Sequence, residues 1–519
     1  MTELLPATDA SQFRNKNNIN TQLMNKIIIF FLLVTSLNAT AQESKQLVSQ
    51  LNEVFQQKKI DPIKGNLDSS FSIGAYTNRS ALGMFQTLSQ RYACDSIVFK
   101  KESPVLTNKK IEVTFYPTGK PALASAIYTK ANKIVYIDLF DQLYGMNRYQ
   151  PSKLRAKIPF EVIDNAIVLT LKLNNSPRPL KFLFDTGADG MAISEALADT
   201  LGLKATRKQN ASVVGGSMQI SISEKNDVHL DTFVLKNQSI ALFKDLHKGT
   251  DGLIGNTMTK QYITKVDFDK KELSLYDFGT YTYETAGKSV PITTPNGLFI
   301  IPGTVAVTEN QANVGEFVFD TGASYSLICF RPFVKQHKLL VSGFKSDYHG
   351  TTTSMGMSTP TYSGKAKSFT FANMPSVTDF PVTLMAGGGQ SETWNPGFDG
   401  SIGIRLISRY NFTINLQQKE IHLTPNKSFT NPNDFVLGSY LFGFDLKGEL
   451  KVMSQVSNFG GTEILKAGMQ ITSINGITRE LLLKDPKKLQ GITALPTGSV
   501  IKLQYIQGNV KQSTTLTKS

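Results

Sequence analysis

Two aspartates stand in the same short context, Lys181-Phe-Leu-Phe-Asp185-Thr186-Gly187-Ala188 and Glu316-Phe-Val-Phe-Asp320-Thr321-Gly322-Ala323. In each, an apolar run leads into an acid, a hydroxyl and a glycine, the pattern of a buried strand that delivers a carboxylate to a tight turn. Two carboxyls that face one water can divide acid–base work: the ionised one takes a proton from the water, and the protonated one donates to a carbonyl. At about 4 Å they repel by about 4 kcal/mol at an effective dielectric near 20, or about 3 pK units. One proton is then shared between them over a wide pH range.

Each acid is followed by a second landmark, Asp251-Gly252-Leu253-Ile254-Gly255 after the first and Asp399-Gly400-Ser401-Ile402-Gly403 after the second. Beyond these the likeness continues, with Gln261–Tyr276 matching Arg409–Thr424. A whole lobe is duplicated. Two lobes, each with one Asp-Thr-Gly and one apolar-Gly pair, resemble the aspartic proteases, most of all the retropepsin-like bacterial kind with Ala after each Gly. The resemblance implies a mainly β fold, a two-lobed β-barrel pseudo-dimer, that acts on a peptide or protein substrate. It makes Asp185 and Asp320 the catalytic dyad. Thr186 and Thr321 would tie the two turns together, Gly187 and Gly322 would leave room for substrate, and Ala188 and Ala323 complete the turns. Leu253, Ile254 and Gly255, with Ile402 and Gly403, would thread beside the turns as psi-loops; Ser401 departs from the apolar pair.

Between the landmarks of lobe 1 lies Ala211–Ile222, two β-rich arms around Gly215 and Gly216, which is a hairpin signal. The resemblance makes it a substrate-covering flap. Its counterpart in lobe 2 is the stretch Tyr348–Thr361, with Gly350 and Gly356. Lobe 2 is the longer, and the extra residues are expected in the Gly-rich loop Met385–Gly397, which holds the chain's one Trp. Trp394 there either lines a substrate subsite or packs its loop onto the lobe.

Lobe 1 is expected over residues 154–280 and lobe 2 over 289–426. Ahead of them, 42–150 reads as a small α+β domain. Leu47, Leu51, Val54 and Phe55, then Ala81, Met84, Phe85 and Leu88, recur at helical spacing. Strand-like segments follow at Ser96–Lys100, Ile111–Tyr116, Leu123–Tyr128 and Lys133–Leu139. After the lobes, 430–519 resembles a PDZ domain. Tyr440-Leu-Phe-Gly-Phe444 matches the carboxylate-binding loop, and Leu465–Gly476 matches the Leu-x-x-Gly-Asp-x-Ile-x-x-Ile-Asn-Gly signature, departing at Met469. That resemblance implies capture of a peptide C-terminus at Phe442, Gly443 and Phe444.

Residues 1–41 read as a leader and signal peptide. Met24-Asn25-Lys26 is a charged start, Ile27–Leu37 an apolar core, and Ala39-Thr40-Ala41 a small-x-small cleavage site. Met24 is the expected start, and ten or so apolar residues are too few to span a bilayer. Export to a bacterial periplasm or envelope, or secretion, follows, with no integral membrane span after cleavage. The net charge is +14 over 519 residues, but Lys and Arg run no longer than pairs, so no nucleic-acid partner is indicated. Cys94 and Cys329 are too few for a disulfide framework. The histidines lack metal-ligand spacing, no Gly-x-Ser-x-Gly elbow occurs, and neither metal nor cofactor is called for. The reading is an exported aspartic endopeptidase. Its competitors are a degenerate peptide-binding protein of the same shape and an envelope scaffold acting through the PDZ-like end. Because Ala188 and Ala323 cannot donate a hydrogen bond to the acids, the working state should persist to a mildly acidic optimum, about 4.5 to 6.5.

Overall fold

A computed structural model describes residues 42–519, apart from 106–107, 247–248, 285, 310, 389–391, 457–463, 509 and 519. The expected leader, residues 1–41, lies outside the described residues. The chain forms two compact units, one ending at Leu143 and the other made of Gly74–Tyr76 with Tyr144–Ser519.

In the first unit, helix 42–57 and helix Asn78–Arg91 accompany a four-stranded antiparallel sheet in the order β1-β2-β3-β4. These strands are β1 (Cys94–Val105), β2 (Asn108–Pro117), β3 (Leu123–Lys130) and β4 (Lys133–Ile137). The helical apolar spacing is used as its period demands: Leu51, Val54, Ala81 and Phe85 are buried. Phe140 sits among Phe55, Phe85 and Phe115, with ring centroids 5.3–6.4 Å apart. The last strand is shorter than its apolar run suggests, because Asp138–Leu143 turns into a helix.

The second unit opens with β5 (Leu154–Ile163), β6 (Ala166–Leu173), β7 (Leu180–Phe184) and β8 (Met191–Ser194). Then come β9 (Arg207–Val213), β10 (Gly216–Leu230), β11 (Phe233–Phe243), β12 (Gly252–Ile254), β13 (Ile263–Asp267) and β14 (Glu272–Tyr276). The next half gives β15 (Lys288–Pro291), β16 (Ile300–Thr308), β17 (Gln311–Asp320), β18 (Leu327–Cys329) and β19 (Ser346–Ser354). It continues with β20 (Met357–Phe371), β21 (Val377–Met385), β22 (Gly400–Gly403), β23 (Tyr410–Asn415) and β24 (Glu420–Pro425). The spatial order β9-β10-β11-β8-β12-β7-β6 in one half recurs as β19-β20-β21-β18-β22-β17-β16 in the other. The sheet of the first half runs on through β5-β14-β13 into β23-β24-β15, so strands of both halves share one thirteen-stranded sheet. On β7, Phe182 and Phe184 are fully buried on one face while Lys181 on the other is exposed and Leu183 half-buried; on β17, Phe317, Val318 and Phe319 are all buried, so that strand is covered on both faces near its end.

A last group of strands comprises β25 (Phe435–Leu437), β26 (Tyr440–Phe444), β27 (Leu450–Gln455), β28 (Gln470–Ile474), β29 (Ile477–Thr478), β30 (Val500–Gln507) and β31 (Val510–Thr517). They order as β25-β26-β27-β28-β30-β31, with β29 on β28, around their own core of Phe442, Leu450, Ile471, Ile474, Ile501 and Leu503. Here the sequence reading needs correction. Phe442, Gly443 and Phe444 form no open loop. They lie in β26, which pairs with β27 along its length and with β25 as far as Phe442. Phe442 and Phe444 are buried core, and a side chain at Gly443 would collide with Arg405 and Asp434. A two-residue turn at Gly438-Ser439 leaves no free chain to cradle a carboxylate.

Candidate active site

Asp185 directly follows β7 and Asp320 ends β17, and each strand is flanked in parallel by its psi-loop strand, β12 or β22. Asp185 N donates to Ile254 O at 3.0 Å, and Asp320 lies opposite Gly403 in the ladder. A further acid in each half holds the strand four residues ahead of the dyad acid. Asp251 Oδ2 accepts from Lys181 N, and Asp399 Oδ2 from Glu316 N, both at 2.8 Å. Asp251 is also held by Arg178, which keeps its carboxyl below the usual range. These acids were visible in the sequence as the first residues of the second landmark; what they hold was not.

The two turns are locked together across the halves. Thr186 Oγ1 donates to Phe319 O at 2.6 Å and accepts from Thr321 N at 3.0 Å. Thr321 Oγ1 in turn donates to Phe184 O at 2.7 Å and accepts from Thr186 N at 3.0 Å. Both side chains are 0% exposed, so each hydroxyl uses donor and acceptor where an unpaired one would cost about 1–3 kcal/mol. Asn256, which the sequence reading passed over, adds bonds from Nδ2 to Thr186 O (2.9 Å) and Gly297 O (3.0 Å).

This bracing brings the carboxyls face to face. A methyl group at Gly187 would collide with the carboxyl of Asp320, and one at Gly322 with that of Asp185. Glycine is required here because the opposite acid occupies the space, in addition to any room left for substrate. Gly255 and Gly403 are likewise closed in by the backbone of Ala188 and Gly190, and of Ala323 and Tyr325.

Asp185 and Asp320 are each half-buried, and protein surrounds their carboxyls. Desolvation, with the charge of Asp320 next, holds the Asp185 carboxyl well above the ordinary carboxylate value. Desolvation raises Asp320 as well, but the backbone amides of Gly322 and Ala323 donate to it and pull the other way. The backbone donors are measured: Gly322 N and Ala323 N each reach Asp320 Oδ1 at 3.0 Å, and Gly187 N reaches Asp185 Oδ1 at 2.9 Å. Two backbone amides on Asp320 against one on Asp185 favour the charged form of Asp320 and the shared proton on Asp185.

Both expected flaps are hairpins. β9 and β10 turn at Val214-Gly215, with Gly215 at φ 94°, and Gly216 begins the return strand. β19 and β20 turn at Met355-Gly356, with φ 48° and 81°, the doubled positive φ of a tight hairpin turn. Gly350 lies in the first arm of this hairpin, opposite Thr361, away from the turn. Each tip lies against the opposite half. Val214 joins Tyr325, Phe330, Trp394 and Phe398 around Ile328 and Met385, while Met355 and Met357 join Ala188, Met218, Leu246 and Leu253. Trp394 packs edge-on to Phe330 at 5.1 Å, and its Nε1 donates to Ser212 Oγ of the first flap at 3.4 Å.

Cys94 and Cys329 are both free thiols, and burial pushes Cys329 far up. Among the described residues no group of three His, Cys, Asp or Glu side chains is placed to hold a metal ion.

Comparison with known proteins matches residues 169–258 to the aspartyl protease family. No curated protein matches the chain. Among solved structures it is similar to the aspartic proteinase from Irpex lacteus, at 12% identity and a TM-score of 0.36, over 53% of this chain and 98% of that one. The segment alike to the aspartyl protease family thus runs from β6 through Asp185 and the first psi-loop to Met258.

Proposed function

We propose that the protein is a single-chain aspartic endopeptidase whose two halves form a pseudo-dimer around the Asp185–Asp320 dyad. The observation that carries this reading is the contact of each glycine with the opposite carboxyl across the threonine-bridged turns. Two acids so placed, one protonated and one ionised, can hold one water between them. Asp320 takes a proton from that water as its oxygen adds to the scissile carbonyl carbon, and Asp185 donates its proton to the carbonyl oxygen. The adduct then collapses: Asp320 gives its proton to the nitrogen as the C–N bond breaks and the amine leaves, and Asp185 takes a proton from an adduct hydroxyl as the product carboxyl forms, so both acids recover their starting state.

The leader supports export to a periplasm or envelope, and the Leu465–Gly476 signature supports a PDZ-like C-terminal domain. Among the described residues no helix is long and apolar enough to cross a membrane. Incubating the protein with a proteome-derived peptide library and reading cut sites by mass spectrometry tests the function. Asp185→Asn and Asp320→Asn should each lower kcat by about 10³-fold, within the range for lost acid–base catalysis, with the circular dichroism spectrum unchanged. Peptides bound but left whole by the wild type would instead identify a binding protein of this fold, and a fully active single variant would remove that acid from the dyad.

A further inference from the structure

Gly74–Tyr76 stands far ahead of the two halves in sequence, yet it belongs to the second unit. Ala75 is buried in that unit's core, and its carbonyl accepts from Thr294 Oγ1 at 3.3 Å. Gly74 takes φ 56°, where a methyl group would strike Tyr144, and the Tyr76 ring stands edge-on to that of Tyr144 with centroids 6.0 Å apart. The Tyr76 ring also faces an ammonium. Lys260 Nζ is 5.8 Å from its centroid, close enough for the attraction between a cation and an aromatic face.

Lys260 in turn holds the first active-site turn. Its Nζ donates to Asp189 O at 3.0 Å and pairs with Asp189 Oδ1, and Asp189 ends the run Asp185-Thr186-Gly187-Ala188-Asp189. The Lys260 side chain is 14% exposed and that of Asp189 60%, so the ammonium, with three donors and no acceptor, depends on these partners more than the carboxylate does. Asn256 lies one helical turn earlier, its carbonyl accepting from Lys260 N at 3.1 Å, and it grips Thr186 O. Gly297 closes the arrangement: its carbonyl accepts from Asn256 Nδ2, and a methyl group there would collide with Asp189 Oδ1 and Lys260 Nζ. The short stretch 256–260 thus holds the turn at two points, Thr186 and Asp189. In the other half Ser324 and Ser408 stand at the steps of Asp189 and Lys260. The ion pair is not repeated there.

We propose that Tyr76 and Lys260 are positioning residues for Asp185: the ring of Tyr76 seats the Lys260 ammonium, and the ammonium fixes the end of the turn that follows the acid. Residues 42–150, which held no candidate site residue in the sequence, thereby lend part of the frame of the site. The effect on rate rests on the peptidase reading; the bracing of the turn does not.

The test uses the full chain with Lys260→Met, Lys260→Arg, Tyr76→Leu, Tyr76→Phe and the double variant Tyr76→Leu with Lys260→Met. Hydrogen exchange read by mass spectrometry follows the amides of residues 185–188, which are bonded to Ile254 O, Thr321 Oγ1, Asp185 Oδ1 and Asp185 O. Lys260→Met and Tyr76→Leu should each speed exchange there by about 5-fold, with residues 320–323 changing less. In both variants kcat should fall by about 10-fold and KM change by less than about 2-fold, because a small misplacement of a reacting group costs rate steeply. Arginine keeps the charge and phenylalanine the aromatic face, so each should restore most of both quantities. Since Tyr76 acts through Lys260, the double variant should be no worse than Lys260→Met alone. If Lys260→Met does not fold, Tyr76→Leu carries the exchange measurement. Unchanged exchange at residues 185–188 in whichever of these variants is folded overturns the proposal, as do losses that simply add in the double variant. If exchange quickens while no peptide is cut by the wild type, the peptidase reading fails and the brace stands.

Discussion

A carboxyl that holds its proton more tightly when folded than when unfolded ties stability to pH. Asp185 is such a group, raised first by desolvation and then by the charge of Asp320. Between the ordinary Asp value, about 4, and its raised value, the folded state binds more protons than the unfolded one, so stability falls as pH rises through that window. Asparagine carries no such dependence. The melting temperature of Asp185→Asn, relative to wild type, should therefore climb from pH 4 to pH 7.5; a constant difference would mean that the dyad is not strained by ionisation. Asp185, Thr186, Gly187 and their counterparts were legible in the sequence because the pattern occurs twice and each type has one job. Asn256, Asp251 and Asp399 were not assigned their partners, since those bonds depend on which strand lies beside which, and residue spacing along the chain does not encode that.

At the scale of elements, the proposed reading makes the two hairpins flaps that set access to the acids. The first is pinned at its apolar tip by an aromatic cluster of the other half and by the Trp394–Ser212 bond. An edge-on aromatic contact is worth about 0.5–1.5 kcal/mol beyond its buried area, so Trp394→Ala should change KM by about 2- to 10-fold, while Trp394→Phe, which keeps the ring contact, should change it less. Because the chain has one tryptophan, its emission reports this contact directly and should shift when a non-hydrolysable peptide lifts the flap. An unaltered spectrum at saturating peptide would show that the tip stays seated during binding. The hairpin arms could be read from β-rich alternation around glycine. The second turn could not be placed, because one of its two positive-φ residues is Met355, a type that gives no turn signal.

Over the whole second unit, buried charge fastens the C-terminal strands to the half that carries Asp320. Arg405, on the helix Ile404–Ile407 directly after the psi-loop, is 7% exposed and forms a two-pronged pair with Asp434, Nε to Oδ2 at 2.7 Å. Arg409 donates to the carbonyls of Asn431 at 2.6 Å and Pro432 at 3.1 Å. Removing one partner of a buried pair costs about 3–5 kcal/mol, so Asp434→Ala should lower the stability measured by urea unfolding by about that amount and weaken cleavage of short peptides. Asp434→Leu with Arg405→Met, an apolar exchange, should recover most of it. A freely tethered domain would show neither effect. Sequence resemblance found the Leu465–Gly476 signature but could not see that Phe435–Leu437 would close over β26. The shared sheet carries a further implication, one of timing. β13 completes its pairing only with Tyr410–Asn415, and Thr186 finds its partners at Phe319 and Thr321. Such distant pairings make folding slow. On a ribosome that delivers the chain from its N-terminus, Asp185 emerges long before the strand that brings the second acid into place, and on the proposed reading the growing polypeptide has no complete dyad to turn on itself or its neighbours until Asp320 and the strands that brace it have been made.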